Sequence, residues 1–503
     1  MKILNAAQIK ELDAFTIQHE PVSSLDLMER ASRACVNRIA KIAGQEKRIF
    51  VFCGMGNNGG DGLAITRLLL ERDRNATALI IRYSESFSPD AEKNYERLKE
   101  NFPEAILEIK SPQEFPEPEE NIIVIDALLG TGINKSPEGL LAQAIYCINK
   151  FPEIISIDLP SGLYPDISST ENKNIVRSGL TLTFQAPKLS FLMPENFLFV
   201  PAFEILDIGL HPIGLASFQT QNYFVTAKDV SSLLKPRTKF SHKGSFGHAL
   251  LASGSKGKSG AAVISAKACL RSGAGYLTVH SNKETLNAVL QHLPEAMGDE
   301  DEHQHFISGI DSLEKYDAIA FGPGTGMADE TQRVLKKILQ YYPGKLIIDA
   351  DGLNILAENK TWLSFLPADT ILTPHPKEFE RLTEKADDNF HRLTILKNFA
   401  LKHRCIVVLK GAHTAIAMPD GTIFFNSTGN PGMAKAGSGD GLTGIILGLL
   451  ARGYNAPQAS LIGTYVHGMA ADLCVKKKSM ESLLISDVIE KLPSAFRKLE
   501  SLT

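Results

Sequence analysis

"RIFVFCGMGNNGGDGLAITRLLLERD", residues 48 to 73, decides the fold of the first half of this chain. Its opening run, "RIFVFCG", is short, apolar and stopped by glycine, which reads as a buried strand. "GLAITRLLLERD" then carries apolar residues at helical spacing. "ATALIIRY", the helical "PDAEKNYERLKENF", "NIIVIDALLG", the helical "PEGLLAQAIYCINK" and "EIISIDLPSG" repeat the alternation. The βαβαβαβ order predicts a parallel sheet with helices on both faces, a three-layer α/β/α domain. In such sheets ligands bind beyond the carboxyl ends of the strands. Asn57, Asn58 and Asp61 follow one strand, Asp126 ends another, and Asp158 and Ser161 end a third. Three strand ends are expected to meet at one cleft.

At 503 residues the chain exceeds one ordinary hydrophobic core, and two large domains fit it. With 44% apolar and 22% charged residues, the composition is that of a soluble globular protein. The net charge of −4 and scattered Lys and Arg leave no basic face for nucleic acid, so small-molecule partners are expected. Six isolated cysteines without a C-x-x-C pair fit a reducing compartment. No apolar run approaches the roughly 18 residues of a membrane helix, and the N-terminus lacks a signal-type apolar region. A cytoplasmic protein without a membrane partner is expected.

Periodicity weakens between Leu210 and Lys228, which puts a boundary between domains at 1–215 and 225–503. After it the α/β alternation restarts with "HALLASGS", "YLTVHS", "DAIAFGPGTG", "KLIIDADG", "TILTPHP" and "CIVVLKG". A hairpin turning at Asp420-Gly421 leads into "NPGMAKAGSGDGLTG", residues 430 to 444. The apolar helix that follows should begin at Gly439 or Asp440, where free backbone N–H groups attract an anion. Asp440 cannot itself hold phosphate, because like charges repel. Beside a phosphoryl donor it suits the proton of an attacking alcohol. The plainer alternative is that Asp440 caps its helix.

"GMAKAGSGDG" resembles the G-x-G-D loop of the ribokinase-like kinases of vitamins and sugars, in which the aspartate is catalytic. "FGHALLASGS", "RSGAG", "GPGTG", "DADGLN", "TPHPKEF", "LKGAHT" and "GNPGMAKAGSGD" together resemble the ADP-dependent NAD(P)H-hydrate dehydratases across nearly all of the second half. That resemblance implies a ribokinase-like α/β domain in which ADP, with Mg²⁺, phosphorylates the C6 hydroxyl of hydrated NADH or NADPH. Loss of phosphate then restores the ring, leaving AMP. It implies Asp440 as base, and Lys410, Gly411, Ala412, His413, Thr414 and Gly439 as the nucleotide site. The hydrate would meet Ala261 or Ala262, Gly324, Gly326, His375 and Asp440. Asp349 and Asp351 are spaced as strand-end carboxylates that could face a Mg²⁺–phosphate. "HPKE" departs from the kinases' Asn-x-x-Glu, which sets Glu378 apart from metal contact. Gly441 stands where an aliphatic residue such as valine is expected.

The first half, through "CGMGNNGGDG", "DALLGTG" and "SIDLPSG", resembles the NAD(P)H-hydrate epimerases, with a Rossmann-like fold. The implied reaction interconverts the R and S hydrates. Asn58, Asp126 and Ser161 correspond to potassium ligands. Asn57, Asn58, Gly59, Gly60, Asp61, the segment Gly130, Thr131, Gly132, Ile133, Asn134, Lys135 and Ser136, and Asp158 correspond to the substrate site, with Asp158 chosen for proton transfer. Lys188 matches a family lysine without an evident role. Relatives of the second half assemble as oligomers, which implies a homo-oligomer. The competing reading is a small-molecule kinase, for a vitamin or sugar alcohol, whose N-terminal domain binds a nucleotide and regulates.

Overall fold

The computed structural model describes residues 1–502 and separates into two compact units. One runs from Lys2 to Thr220; the other starts at Gln221 and takes in Met1.

The first unit is built on seven strands: β1 (Arg48–Cys53), β2 (Ala76–Ile81), β3 (Ile106–Ile109), β4 (Ile122–Ala127), β5 (Glu153–Ile157), β6 (Leu180–Phe184) and β7 (Phe203–Leu206). They pair in the order β3-β2-β1-β4-β5-β6-β7, and every pairing is parallel. Alternate residues of β1 explain why the run is apolar throughout. Ile49, Val51 and Cys53 pack with Ile65 and Leu68 of the helix Asn57–Leu70, whereas Phe50 and Phe52 pack with Ala144 and Ile148 of the helix Gly139–Ile148. A strand covered on both faces has no polar side. The chain winds outward in both directions from the β1/β4 pair, and the crevice beyond these strand ends is the switch point where ligands bind in such sheets.

β3, β6 and β7 were not among the expected strands. β3 and β7 are only partly buried, and β6 alternates threonine with apolar residues, so none shows a continuous apolar run.

The second unit holds ten strands: β8 (Asn222–Phe224), β9 (His248–Ala252), β10 (Tyr276–Ser281), β11 (Met297–Glu300), β12 (Ala318–Phe321), β13 (Lys345–Ile348), β14 (Ile371–Leu372), β15 (Ile406–Leu409), β16 (Ala415–Ala417) and β17 (Ile423–Phe425). Their order is β11-β10-β9-β12-β13-β14-β15-β16-β17-β8. β16 pairs antiparallel with β15 and, across the Asp420-Gly421 turn, with β17, and the other pairings are parallel. β8 lies at the sheet edge against β17. The stretch that reads as irregular around residue 222 therefore already belongs to the second sheet.

The helix Ser438–Ala451 is buried from Gly441 to its end. Gly444 and Gly448 bring it against the helix Ser259–Arg271: a Cβ on either would stand 2.2 or 2.3 Å from the carbonyl oxygens of Ser265 and Cys269. This close fit seats the helix N-terminus. All six cysteines are buried free thiols. Among the described residues no helix is long and apolar enough to cross a membrane.

Candidate active sites

In the first unit the three expected strand ends do meet, around the backbone of Leu129. Asn58 Nδ2 donates to the Leu129 carbonyl at 3.0 Å, and the Leu129 N–H donates to Ser161 Oγ at 2.9 Å. Ser161 Oγ donates in turn to Asp126 Oδ1 at 2.6 Å. Asp126 Oδ2 accepts from the Ser161 N–H at 2.9 Å and from Ser156 Oγ at 2.8 Å. Asp126 is completely buried, which pushes its pKa up, and these hydrogen bonds draw it back only in part. Among the described residues it forms no ion pair. A buried carboxylate with neutral partners, beside the oxygens of Asn58 and Ser161, is a hard all-oxygen donor set that fits an alkali cation and not zinc.

Glycines set the entry from β1 into its helix, and Gly59 and Gly60 lie in the helix's first turn. A Cβ on Gly59 would stand 2.0 Å from the Gly54 carbonyl oxygen, and one on Gly60 would stand 2.9 Å from Met28 Sδ. Gly59 and Gly60 are buried and let the first turn of the helix pack closely, while Asn57, its first residue, is exposed. Asp61 is buried, and its pKa is raised well above the usual range by burial and then by the charge of Asp158. Gly132, Asn134 and Lys135 are exposed on the Gly130–Ser136 loop, and Ser136 Oγ donates to Asn172 Oδ1 at 2.7 Å.

Asp158 follows β5 in a left-handed conformation, φ 63°. Its Oδ1 accepts from Lys188 Nζ at 2.6 Å, from the Phe184 N–H at 3.1 Å and from Thr183 Oγ1 at 3.3 Å. Lys188 is buried, with its Nζ also donating to Thr183 Oγ1 at 3.0 Å. The lysine without an evident role is thus the counter-ion of the residue chosen for proton transfer. Asp13, on the helix Ala6–His19, belongs to the same electrostatic group: burial, then the charge of Asp158, pushes it up to about 7. No motif surrounds Asp13, and sequence reading passed over it.

In the second unit the helix begins at Ser438, one residue before the expected start, with Gly437 as N-cap at φ 88°. Asp440 lies inside the first turn and caps nothing, so the plainer reading of it falls. Burial raises its pKa to about 6, the nearby charge of Asp349 adds to this, and Lys410 opposes it. Lys410 Nζ donates to Asp349 Oδ1 at 2.9 Å and lies 3.9 Å from Glu378 Oε2. A Cβ on Gly439 would stand 3.2 Å from Lys410 Nζ, so glycine keeps that space clear. In the 410–414 loop Gly411 and Ala412 are exposed, His413 Nδ1 pairs with the Asn426 carbonyl at 3.2 Å, and the Gly411 N–H donates to Thr414 Oγ1 at 3.3 Å.

His375 is the N-cap of the helix Pro376–Leu382. Its Nδ1 accepts from the Glu378 N–H at 3.2 Å, and its own N–H donates to Glu378 Oε2 at 2.8 Å. His375 therefore fixes the turn into this helix, and the tautomer in which Nδ1 accepts carries its ring proton on Nε2. Glu378 completes this cap and faces Lys410. Gly324 and Ala261 adjoin: a Cβ on Gly324 would stand 3.1 Å from Ala261 Cβ. Ala262 is fully buried in the core, whereas Ala261 is partly exposed beside Gly324. The Gly326 N–H donates to Asp351 Oδ2 at 2.8 Å. Asp349 and Asp351 each have protein partners of their own. The apolar volume expected at 441 is supplied from elsewhere, since Ile485 Cδ1 lies 2.8 Å from where a Gly441 Cβ would be. Thr443, which donates to Asp349 Oδ2 at 2.7 Å, is a further partner that its apolar surroundings hid.

A switch-point crevice in one unit, and in the other a half-buried aspartate at a helix N-terminus beside a lysine, define a two-site α/β enzyme whose second half is ribokinase-like. Residues 249–494 match the family model described as NAD(P)H-hydrate dehydratase, and residues 24–190 match that of the YjeF-related protein N-terminus. The bifunctional NAD(P)H-hydrate repair enzyme of Moorella thermoacetica is 33% identical over 99% of this chain and 97% of its own length. The enzyme of the same name from Escherichia coli is 31% identical over 93% of this chain and 88% of its own. Among solved structures, a ribokinase-like superfamily protein of Enterococcus faecalis matches with 27% identity and a TM-score of 0.50, covering 56% of this chain and 98% of that one. The ADP/ATP-dependent NAD(P)H-hydrate dehydratase of Bacillus subtilis, co-crystallised with ATP and Mg²⁺, is 31% identical with a TM-score of 0.48, covering 55% and 99%. The chain belongs to the bifunctional NAD(P)H-hydrate repair enzyme family.

Proposed function

We propose that this protein repairs hydrated NADH and NADPH: its first unit interconverts the R and S hydrates, and its second dehydrates the S form using Mg²⁺·ADP, giving NAD(P)H, AMP and phosphate. The observation that carries the reading is Asp440. A general base works best with a pKa near the working pH, and burial brings this carboxyl up to about 6. Asp440 takes the proton of the C6 hydroxyl as that oxygen attacks the terminal phosphoryl group of ADP. Lys410 and the free N–H groups of the helix Ser438–Ala451 stabilise the charge that develops. The ring nitrogen's lone pair expels the C6 oxygen as phosphate, and loss of a proton from C5 restores the ring double bond. His375 Nε2–H, Ala261 and the Gly324–Gly326 loop orient the hydrate.

In the first unit Asp158, aligned by Lys188, exchanges the proton that lets the C6 hydroxyl leave and return on the other face. Asn58, Asp126 and Ser161 would hold K⁺. When bound, the cation supplies the positive charge that Asp126 lacks. Both reactions concern small molecules in the cytoplasm, a compartment that six free thiols fit.

The separated R and S hydrates of NADH, supplied with Mg²⁺, K⁺ and either ADP or no nucleotide, test the proposal through the return of dihydronicotinamide absorbance. Recovery of S only with ADP, and of R through S, is the expected result. No recovery of either hydrate, with ADP or ATP spent on an added alcohol, would overturn it in favour of a small-molecule kinase.

A further inference from the structure

The segment Asp349–Ala350–Asp351 joins the two halves of the second unit's site. Asp349 follows β13 and is only 1% exposed. One of its oxygens accepts from Lys410 Nζ at 2.9 Å and the other from Thr443 Oγ1 at 2.7 Å. A single buried carboxylate thereby fixes the start of the 410–414 loop against the helix that carries Asp440. Asp351 serves the other half: its Oδ2 accepts from the Gly326 N–H at 2.8 Å and from Lys258 Nζ at 3.0 Å. Between them Ala350 has φ 48° and ψ −117°, backbone angles natural to glycine and strained for alanine. The turn sends two carboxylates, two residues apart, to different partners. Gly322, where the 322–326 loop begins, packs directly on it, since a Cβ there would stand 1.9 Å from the Asp349 carbonyl oxygen.

We propose that this strained turn is a positioning element that couples nucleotide and hydrate binding, Asp349 acting through Lys410 and Asp351 through Gly326. The proposal rests on the dehydratase reading of the site. Ordering one half fixes the turn and so orders the other, and each ligand must then raise the affinity for its companion by the same factor.

Initial rates over a matrix of (S)-NADH hydrate and Mg²⁺·ADP concentrations give that factor, expected at about fivefold or more in the unaltered protein. Asp349→Asn should raise KM for ADP roughly tenfold and leave KM for the hydrate within about twofold, and Asp351→Asn should do the reverse. Ala350→Gly should fold with an equal or higher Tm and bring the factor close to 1. The proposal is overturned if Ala350→Gly keeps the original factor, or if the two Asp→Asn variants lose Tm without splitting the KM values. Calorimetry with Mg²⁺·ADP alone reads the Asp349 arm independently of turnover. Tight Mg²⁺·ADP binding by the unaltered protein without conversion of hydrate would defeat the dehydratase reading itself. A weakening of that binding in Asp349→Asn would still uphold the Lys410 arm.

Discussion

At the scale of single residues, Asp440 sets catalysis against stability. Its carboxyl has a raised pKa in the folded protein, so the fold favours the protonated form. The stability this gives is fully present below pH 4 and is lost as pH rises to about 6, the sign opposite to that of an ion-paired carboxylate. A rise of about two pKa units corresponds to about 3 kcal/mol, so Asp440→Asn is expected to unfold at a higher temperature at pH 8 and to match the unaltered protein near pH 4. The same variant should lose about 10²- to 10⁴-fold in dehydration rate. In the unaltered enzyme kcat/KM should climb with pH to about 6 and level off, because only the carboxylate accepts a proton. A rate flat from pH 5 to 8 would remove Asp440 as base. Its neighbour Gly441 shows how packing is shared between distant positions. Val at 441 would collide with Ile485, at a cost of about 1–3 kcal/mol, and Gly441→Val combined with Ile485→Ala should recover most of the lost Tm. Recovery that fails would mean that the glycine answers to the backbone and not to Ile485.

At the scale of elements, the end of β5 and the turn after β6 are joined by the Lys188–Asp158 pair. With Lys188 1% exposed, Lys188→Met leaves a carboxylate that has lost its counter-charge, a change that costs about 3–5 kcal/mol. Lys188→Met with Asp158→Asn removes both charges and should be markedly more stable than Lys188→Met alone, as urea unfolding would measure; additive losses would mean that the pair does not bear on stability. Lys188 also marks the limit of what the sequence makes legible. Asn58, Asp126 and Ser161 could be brought together from sequence because each follows an apolar run, and strand ends in a parallel sheet share one side. Lys188 and Asp13 obey no such rule. One follows a strand of alternating threonines and the other lies on a helix before the first strand, so only tertiary packing brings them to Asp158. Ala261 and Ala262 cannot be told apart in the sequence for a related reason: adjacent alanines look alike, and only the helix rotation decides that Ala261 faces Gly324. The helix of Asp440, by contrast, was nearly fully legible, because a long apolar run after a glycine pair has few other places to begin.

At the scale of the whole molecule, two active sites built on separate sheets should fail separately. A mixture of the R and S hydrates with Mg²⁺·ADP should be converted completely by the unaltered protein, because epimerisation feeds the dehydratase. Asp158→Ala removes the partner of Lys188 in the first unit and leaves the second sheet intact, so it should consume the S hydrate at the normal rate and then stall. The remaining R form would disappear only as fast as it epimerises in solution. Asp440→Asn should give the mirror result: NADH returns only at the strongly reduced rate, yet pure R hydrate still relaxes to a mixture of R and S. Chromatography that resolves the two hydrates separates these outcomes. If Asp158→Ala also slows consumption of the S form, the two units do not act independently; if it leaves consumption of R unchanged, proton transfer belongs to another residue, and Asp61 and Asp13 are the carboxyls of the same group with raised pKa values to examine next.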